Sequence, residues 1–233
     1  MKNIITVTLL KTMKTMIAIT LLLIFTAARS YSQDINWKSL NENKRNIIQV
    51  NFGYNFGLVT QISYNRSFEL IRPVLLGLDL SIPMGSDVLD DFKVRYGAQI
   101  QILEYNDFSF TIKILSNFRR YQTELVRIVS FGSDFAAVLG YFQPTWHVAG
   151  EFGFDKSIIS NLKHSDILKS YFPGIKDGWY IPSGGHYYYG LQASKTLGDR
   201  FDVAMRIGLT RVQFNDEEAV VPAYASLGLG MRF

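Results

Sequence analysis

The sequence predicts an all-β chain folded as a transmembrane, antiparallel up-and-down β-barrel of about ten strands, with eight as the alternative count. Three observations predict it: long stretches where apolar and polar residues alternate with period two, a short apolar leader behind lysines, and a last strand ending on an aromatic. The composition agrees: of 233 residues 48% are apolar, 14% aromatic and 19% charged, with 18 Gly, 6 Pro and no Cys. Charged residues fall below the roughly 25% usual for soluble domains. The absence of cysteine excludes disulfides, thiolate metal sites and lipid attachment through a cysteine.

Residues 1–32 read as a secretory signal peptide. Lys11 and Lys14 precede an apolar run from Met16 to Phe25, and Ala27, Ala28, Ser30 and Ser32 supply small residues for cleavage. Cleavage is expected after Ser32, with Ala28 as the other site and Met13 as an alternative start; an uncleaved anchor is the competing reading. The run is shorter than the ~20 residues a membrane-crossing helix needs. The leader also explains the charge. It carries Lys2, Lys11, Lys14 and Arg29 and no acid, so without it the 24 bases fall to 20, level with the 20 acids. No basic footprint for nucleic acid remains.

Residues 33–45 are polar and aperiodic, and read as a periplasmic lead-in. The barrel domain is expected over 46–233. Ile48, Val50, Phe52 and Tyr54 alternate with polar or small residues; so do Phe92, Val94, Tyr96, Ala98, Ile100 and Ile102, and Phe201, Val203, Met205, Ile207 and Leu209. Such dyads of about ten residues match tilted strands crossing a bilayer. The expected strands are 46–55, 58–68, 74–82, 92–104, 107–119, 124–141, 145–154, 185–197, 200–212 and 222–233. In 124–141 the apolar residues fall into two groups, Val129–Phe131 and Phe135–Tyr141, read as a phase shift that predicts a bulge or a strand extending past the membrane.

Connection lengths give an independent check. From a periplasmic N-terminus, the tight turns 104–107 and 197–200 fall on the periplasmic side, and the long connections 83–91, 155–184 and 213–221 on the other. The longest, 155–184, has helical spacing at Ile158, Ile159, Leu162, Leu168, Tyr171 and Phe172, then breakers at Pro173-Gly174 and Asp177-Gly178. It reads as an extracellular loop with a short helix, packed on the barrel mouth through Ile158, Leu162, Leu168 and Phe172. It is also the expected place for an extracellular partner.

At the C-terminus Leu227, Leu229, Met231 and Phe233 face one way, and Ser226, Gly228, Gly230 and Arg232 the other. This resembles the C-terminal assembly signal of Gram-negative outer-membrane β-barrel proteins, with Ser226, Gly228, Met231 and Phe233 at its polar, glycine, apolar and terminal aromatic positions. The resemblance implies an outer-membrane address and recognition of this strand by the barrel-assembly machinery through edge pairing.

Inside a bilayer every backbone amide must be paired, which a closed barrel achieves. The apolar face of each dyad then meets outer-membrane lipid. The other face lines a lumen with Lys93, Arg95, Gln99, Gln101, Asp202, Arg206 and Arg232, where opposite charges pair and restrict the bore. Phe92, Trp146, Phe152, Phe154, Tyr187, Tyr189, Phe201 and Phe233 lie near strand ends, as interfacial girdles require. A secreted lipocalin-like barrel shares the leader and the dyads and is the soluble alternative.

No catalytic constellation emerges. His147 and Glu151 share a face but lie roughly 13 Å apart at the strand rise. His164 neighbours Ser165 and Asp166, yet adjacency does not orient a triad. His186 follows a Ser-Gly-Gly turn and precedes three tyrosines. No phosphate loop, zinc spacing or calcium loop appears, so no cofactor or metal is expected; Asp87, Asp90 and Asp91 read as solvated loop acids. The expected function is non-enzymatic: structure, adhesion or narrow small-solute passage, with an outer-membrane enzyme acting on lipid or peptide as the rival.

Overall fold

The computed structural model describes residues 35–40, 44–85, 89–214 and 221–233. The leader and its cleavage sites, Asp87, and the middle of 213–221 lie outside these residues. Among these residues eleven strands run in chain order: β1 Asn46–Tyr54, β2 Leu58–Glu69, β3 Pro73–Pro83, β4 Asp91–Tyr105, β5 Phe108–Gln122, β6 Val126–Gln143, β7 Trp146–His164, β8 Gly178–Tyr180, β9 His186–Leu197, β10 Phe201–Val212 and β11 Ala223–Arg232. A 3-10 turn covers Trp37–Ser39, and one helix, α1, covers Asp166–Tyr171.

Ten of these strands pair in order around a closed ring, all antiparallel. Consecutive hairpins lead from β1 to β7, β7 pairs with β9, and β11 returns to β1 with Ile47 opposite Arg232 and Tyr54 opposite Ala225. Phe233 and Asn46 complete the seam by exchanging two backbone hydrogen bonds of 2.9 Å each. The short strand β8 stands outside the ring order, paired only with Ser160–Leu162 of β7.

The dyads decide which way the wall faces. Phe52, Leu78, Tyr96, Ile114, Phe135, Leu139, Phe152, Leu191, Met205 and Leu229 are exposed, while Gln49, Ser63, Asp79, Gln99, Lys113, Asp134 and Gln192 are buried inside. A water-soluble barrel would have these faces reversed. Aromatic rows bound the apolar band. Phe108, Tyr141 and Trp146 are in ring contact at one end, with centroids 5.3 and 5.6 Å apart. Phe92, Phe118, Phe131 and Trp179 form a second row at the other, with spacings of 5.8, 5.1 and 6.4 Å. From Tyr141 to Phe131 the chain rises about 33 Å along β6, which is about 25 Å along the normal at a ~40° tilt. That is the height of an outer-membrane apolar band.

The structure corrects three expectations. Residues 155–164 belong to strand β7, so the connection shrinks and only Asp166–Tyr171 is helical. The helical spacing arose from a bulge: Phe131 pairs with Ile159 and Gly132 with Ser157, leaving Ile158 as the extra residue, so Ile158 and Ile159 both face outward. That bulge lies on β7, while β6 keeps one phase from Val129 to Tyr141. The strand does extend past the outer girdle. Ile158 and Phe172 do not pack on a barrel mouth either; they are 54% and 59% exposed, and no residue of α1 is buried.

The segment read as a polar lead-in enters the barrel. Ile35 and Trp37 are buried against Ile47, Leu75, Val138, Phe142 and Ala149, the described apolar core of the molecule.

Candidate functional site

The lumen is built in layers, and the inward residue of each dyad sets its layer. Arg95 of β4 lies at mid-height. Its Nε sits 3.1 Å from both carboxylate oxygens of Asp79 on β3, and its Nη1 donates to Asp134 of β6 at 3.2 Å. Tyr188 of β9 donates its hydroxyl to the other oxygen of Asp134 at 2.7 Å. Arg206 of β10 grips Glu151 of β7, donating from Nη2 at 3.0 Å and also from Nε. Tyr224 of β11 donates to the same carboxylate at 2.6 Å. The Arg206 guanidinium lies over the rings of Tyr224 and Tyr188, 4.7 and 5.4 Å from their centroids. Two tyrosines thus brace one belt of ion pairs, and together these residues come from seven strands.

Glycines make room for those tyrosines. A Cβ on Gly208 would stand 2.3 Å from the Tyr224 ring, and one on Gly153 would stand 2.2 Å from that of Tyr188. Both rings lie flat on bare backbone, which lets them cross a bore otherwise crowded by the wall's own side chains.

Above this belt the lumen opens into a cavity of about 510 Å³ at the end carrying α1. Its rim carries two more ion pairs. Lys93 bonds Asp155, which also accepts from Asn117 at 2.8 Å. Arg119 forms two bonds to Asp91, at 2.9 and 2.8 Å, and its guanidinium lies 4.4 Å from the centroid of Phe56. Asp91 is therefore held by a guanidinium, and Asp90 stands 3.9 Å from Arg120. Both carboxylates are occupied by protein cations.

Below the belt the lumen closes. His147 stacks on Phe142 at 4.8 Å and shares a 2.7 Å hydrogen bond with Ser194. The N-terminal segment then fills the remaining bore. Asn36 donates to the Gln143 carbonyl at 2.7 Å, and Arg232 donates to the Ser39 carbonyl at 2.6 Å while reaching Asp202 at 3.2 Å. At the rim Lys38 bridges to Asp107 at 2.6 Å, and Asp107 also accepts from Tyr141 at 2.9 Å. The bonds from Lys38 first, and from Tyr141 second, hold the Asp107 carboxyl below the ordinary carboxylate range.

All seven lumen residues read from the sequence face inward, and five are cationic or acidic groups in ion pairs: Lys93, Arg95, Asp202, Arg206 and Arg232. Gln99 and Gln101 are buried between the layers, Gln101 donating to Ser109 at 2.9 Å. Sequence reasoning missed their partners Asp79, Asp134, Glu151 and Asp155 as a set, and the plug altogether. The acids were legible as inward dyad positions; Ile35 and Trp37 were masked by polar neighbours. Of the terminal residues, Ser226 and Gly228 face the lumen with Gly228 opposite Asn51, and Met231 lies opposite Ile48 on the outer face.

The histidines do not converge. His147 is sealed in the core, while His186 lines the cavity mouth. His164 pairs with Asp177, not with Ser165 or Asp166: Asp177 accepts from the His164 backbone at 2.8 Å, lies 3.0 Å from its ring nitrogen, and meets Lys169 at 2.6 Å. Those contacts, the backbone bond foremost, push the Asp177 carboxyl far down. Ser165 instead caps α1, accepting from the Leu168 amide at 3.2 Å. Among the described residues no three His, Asp or Glu side chains are grouped to hold a metal ion.

No protein-family model matches the chain, and no curated protein matches it. Several solved structures are similar in shape. A KdgM porin in complex with disordered oligogalacturonate shares 9% identity at a TM-score of 0.40, covering 80% of this chain and 99% of that one. A CymD monoaromatic hydrocarbon channel shares 10% at 0.36, covering 88% and 94%. The Acinetobacter baumannii outer membrane protein Omp33 shares 9% at 0.35, covering 82% and 98%. The chain's own geometry carries the conclusion: with apolar residues outward, paired charges inward and an aromatic row at each edge of a ~25 Å band, this is a ten-stranded transmembrane β-barrel.

Proposed function

We propose that the protein is a non-enzymatic outer-membrane barrel that admits small polar solutes into an outward-facing vestibule and keeps its periplasmic end closed with its own N-terminal segment. One observation carries the reading: a cavity of about 510 Å³ opens at the end with the long connections, above a belt of ion pairs and a seated plug. The even strand number puts both ends of the ring beside the short turns, which gives the cavity its outward face. Barrels only slightly wider than eight strands have little free bore, so passage depends on what side chains and plug leave open.

The test is swelling of liposomes containing the purified protein, with sugars graded by size. The wild-type chain should swell them slowly. Replacing both Ile35→Ala and Trp37→Ala should raise the rate for monosaccharide-sized solutes and leave larger ones excluded. Equal rates in both proteins would remove the plug from the reading, and no permeation with the plug weakened would remove passage.

A second reading, contact with an extracellular partner through the connection after β7, is favoured by exposure of Ile167, Tyr171, Phe172 and Ile181 beside α1 and β8. Loops on rigid scaffolds commonly carry such contacts. An enzyme acting on lipid or peptide would need acid, base and nucleophile converging at one rim, and the three histidines lie at separate places in the fold.

A further inference from the structure

The tall side of the barrel carries cations that the lumen does not use. Arg127 on β6 and Lys163 on β7 are directly opposite each other above the outer aromatic row, both exposed on the outward face. Among the described residues, neither has a hydrogen bond or ion pair to another group. Like charges directly opposite on antiparallel strands repel and destabilise the pair. A third cation stands beside them. Arg120 of β5 faces outward with its Nε buried and unpartnered; its Nη2 donates to Gln122, the residue opposite Arg127, at 2.7 Å. Lys156, opposite Ser133, faces outward just below Phe131. The acids nearby are Asp90, 3.9 Å from Arg120, Glu124, exposed at the tip of the β5–β6 hairpin, and Asp177 beside Lys163, which is already held by the His164 backbone at 2.8 Å and the Lys169 ammonium at 2.6 Å.

Height identifies what meets this patch. Phe131 and Trp179 mark the bilayer interface, and Arg127 lies four residues beyond Phe131. That is about 13 Å along the strand and about 10 Å along the normal. Long basic side chains at such a level reach back toward headgroups. A guanidinium and an ammonium on directly opposite positions suit the several oxygens of a phosphate, which removes the repulsion that the protein leaves unanswered.

We propose that Arg120, Arg127 and Lys163 hold the phosphate of an anionic lipid in the outer leaflet, seated over the Phe118–Phe131–Trp179 row. The proposal rests on the outer-membrane reading. Its test compares the thermal unfolding of the full protein in phosphatidylcholine vesicles with and without diphosphoryl lipid A, and with inorganic phosphate alone. Lipid A should stabilise the wild-type barrel. The double variant R127Q/K163Q should need about thirtyfold more lipid A for the same effect, at the usual gain per basic residue near an anionic surface. In phosphatidylcholine alone it should match or exceed the wild type, because the like-charge pair is gone. Equal responses of the two proteins to lipid A, or an effect reproduced by millimolar inorganic phosphate, would overturn the proposal. A wild-type chain that fails to insert into phosphatidylcholine at all would contradict the outer-membrane reading itself, and the proposal with it.

Discussion

Arg95 shows how a charge inside a narrow barrel is made tolerable. It is buried, and so are both of its carboxylate partners, Asp79 and Asp134. Removing the cation strands two carboxylates in the lumen, and breaking a buried pair typically costs about 3–5 kcal/mol. Arg95→Met should therefore lower the barrel's stability by roughly that amount, while the variant that also carries D79N and D134N should recover much of it. Urea unfolding followed by heat-modifiable gel mobility measures both. Asp107 makes the opposite kind of contact, at the rim. Its carboxyl is held below the ordinary range by Lys38 and Tyr141, so it stays ionised through mildly acidic pH. A depressed carboxyl stabilises the folded contact above its unfolded range and loses that contribution as pH falls through the lower, folded value. Glu104, 3.9 Å from the Lys38 ammonium, shares the site. Conductance should accordingly stay unchanged from pH 7 to about pH 5 and rise only in stronger acid. A rise on mild acidification would show that the Lys38–Asp107 contact does not hold the N-terminal segment in the bore.

Among the elements, the strands were legible where an inward polar residue alternates with an outward apolar one, as in β4 and β10. Their ends were less so. β7 continues ten residues beyond the expected Phe154 because its bulge at Ile158 breaks the dyad and imitates a helical spacing. Strand β8 is three residues long and has no period to read. The plug defeated periodicity for the same reason: a 3-10 turn of Trp37–Ser39 is too short to show one, and only its burial distinguishes it from a tail. The corrected boundary changes what an excision should do. Replacing 166–177 by a short Gly/Ser turn leaves every ring pairing intact, so the barrel should fold and remain heat-modifiable. Extending the excision back to Asp155 removes the pairing of β6 with β7 above the bulge and should lower stability. Equal stability of the two excisions would mean that the tall wall contributes nothing to folding.

For the whole molecule, closure depends on the seam between the first and last strands. Phe233 exchanges two backbone hydrogen bonds with Asn46 there. Deleting Phe233 should reduce the share of protein recovered with the outer membrane. Undiminished recovery would take away the assembly role proposed for Ser226, Gly228, Met231 and Phe233. The lumen itself combines two designs, a polar vestibule and an apolar stopper, separated by one belt of ion pairs.

That division is most directly tested by thiol accessibility, for which a chain without cysteine is well suited. Ser130 lines the vestibule, and Ser109 is buried in the lumen wall near the plug. In intact cells, Ser130→Cys should react with a small membrane-impermeant thiol reagent added from outside, and Ser109→Cys should not. Labelling of both residues would mean a bore open from end to end, and labelling of Ser109→Cys alone would turn the barrel upside down.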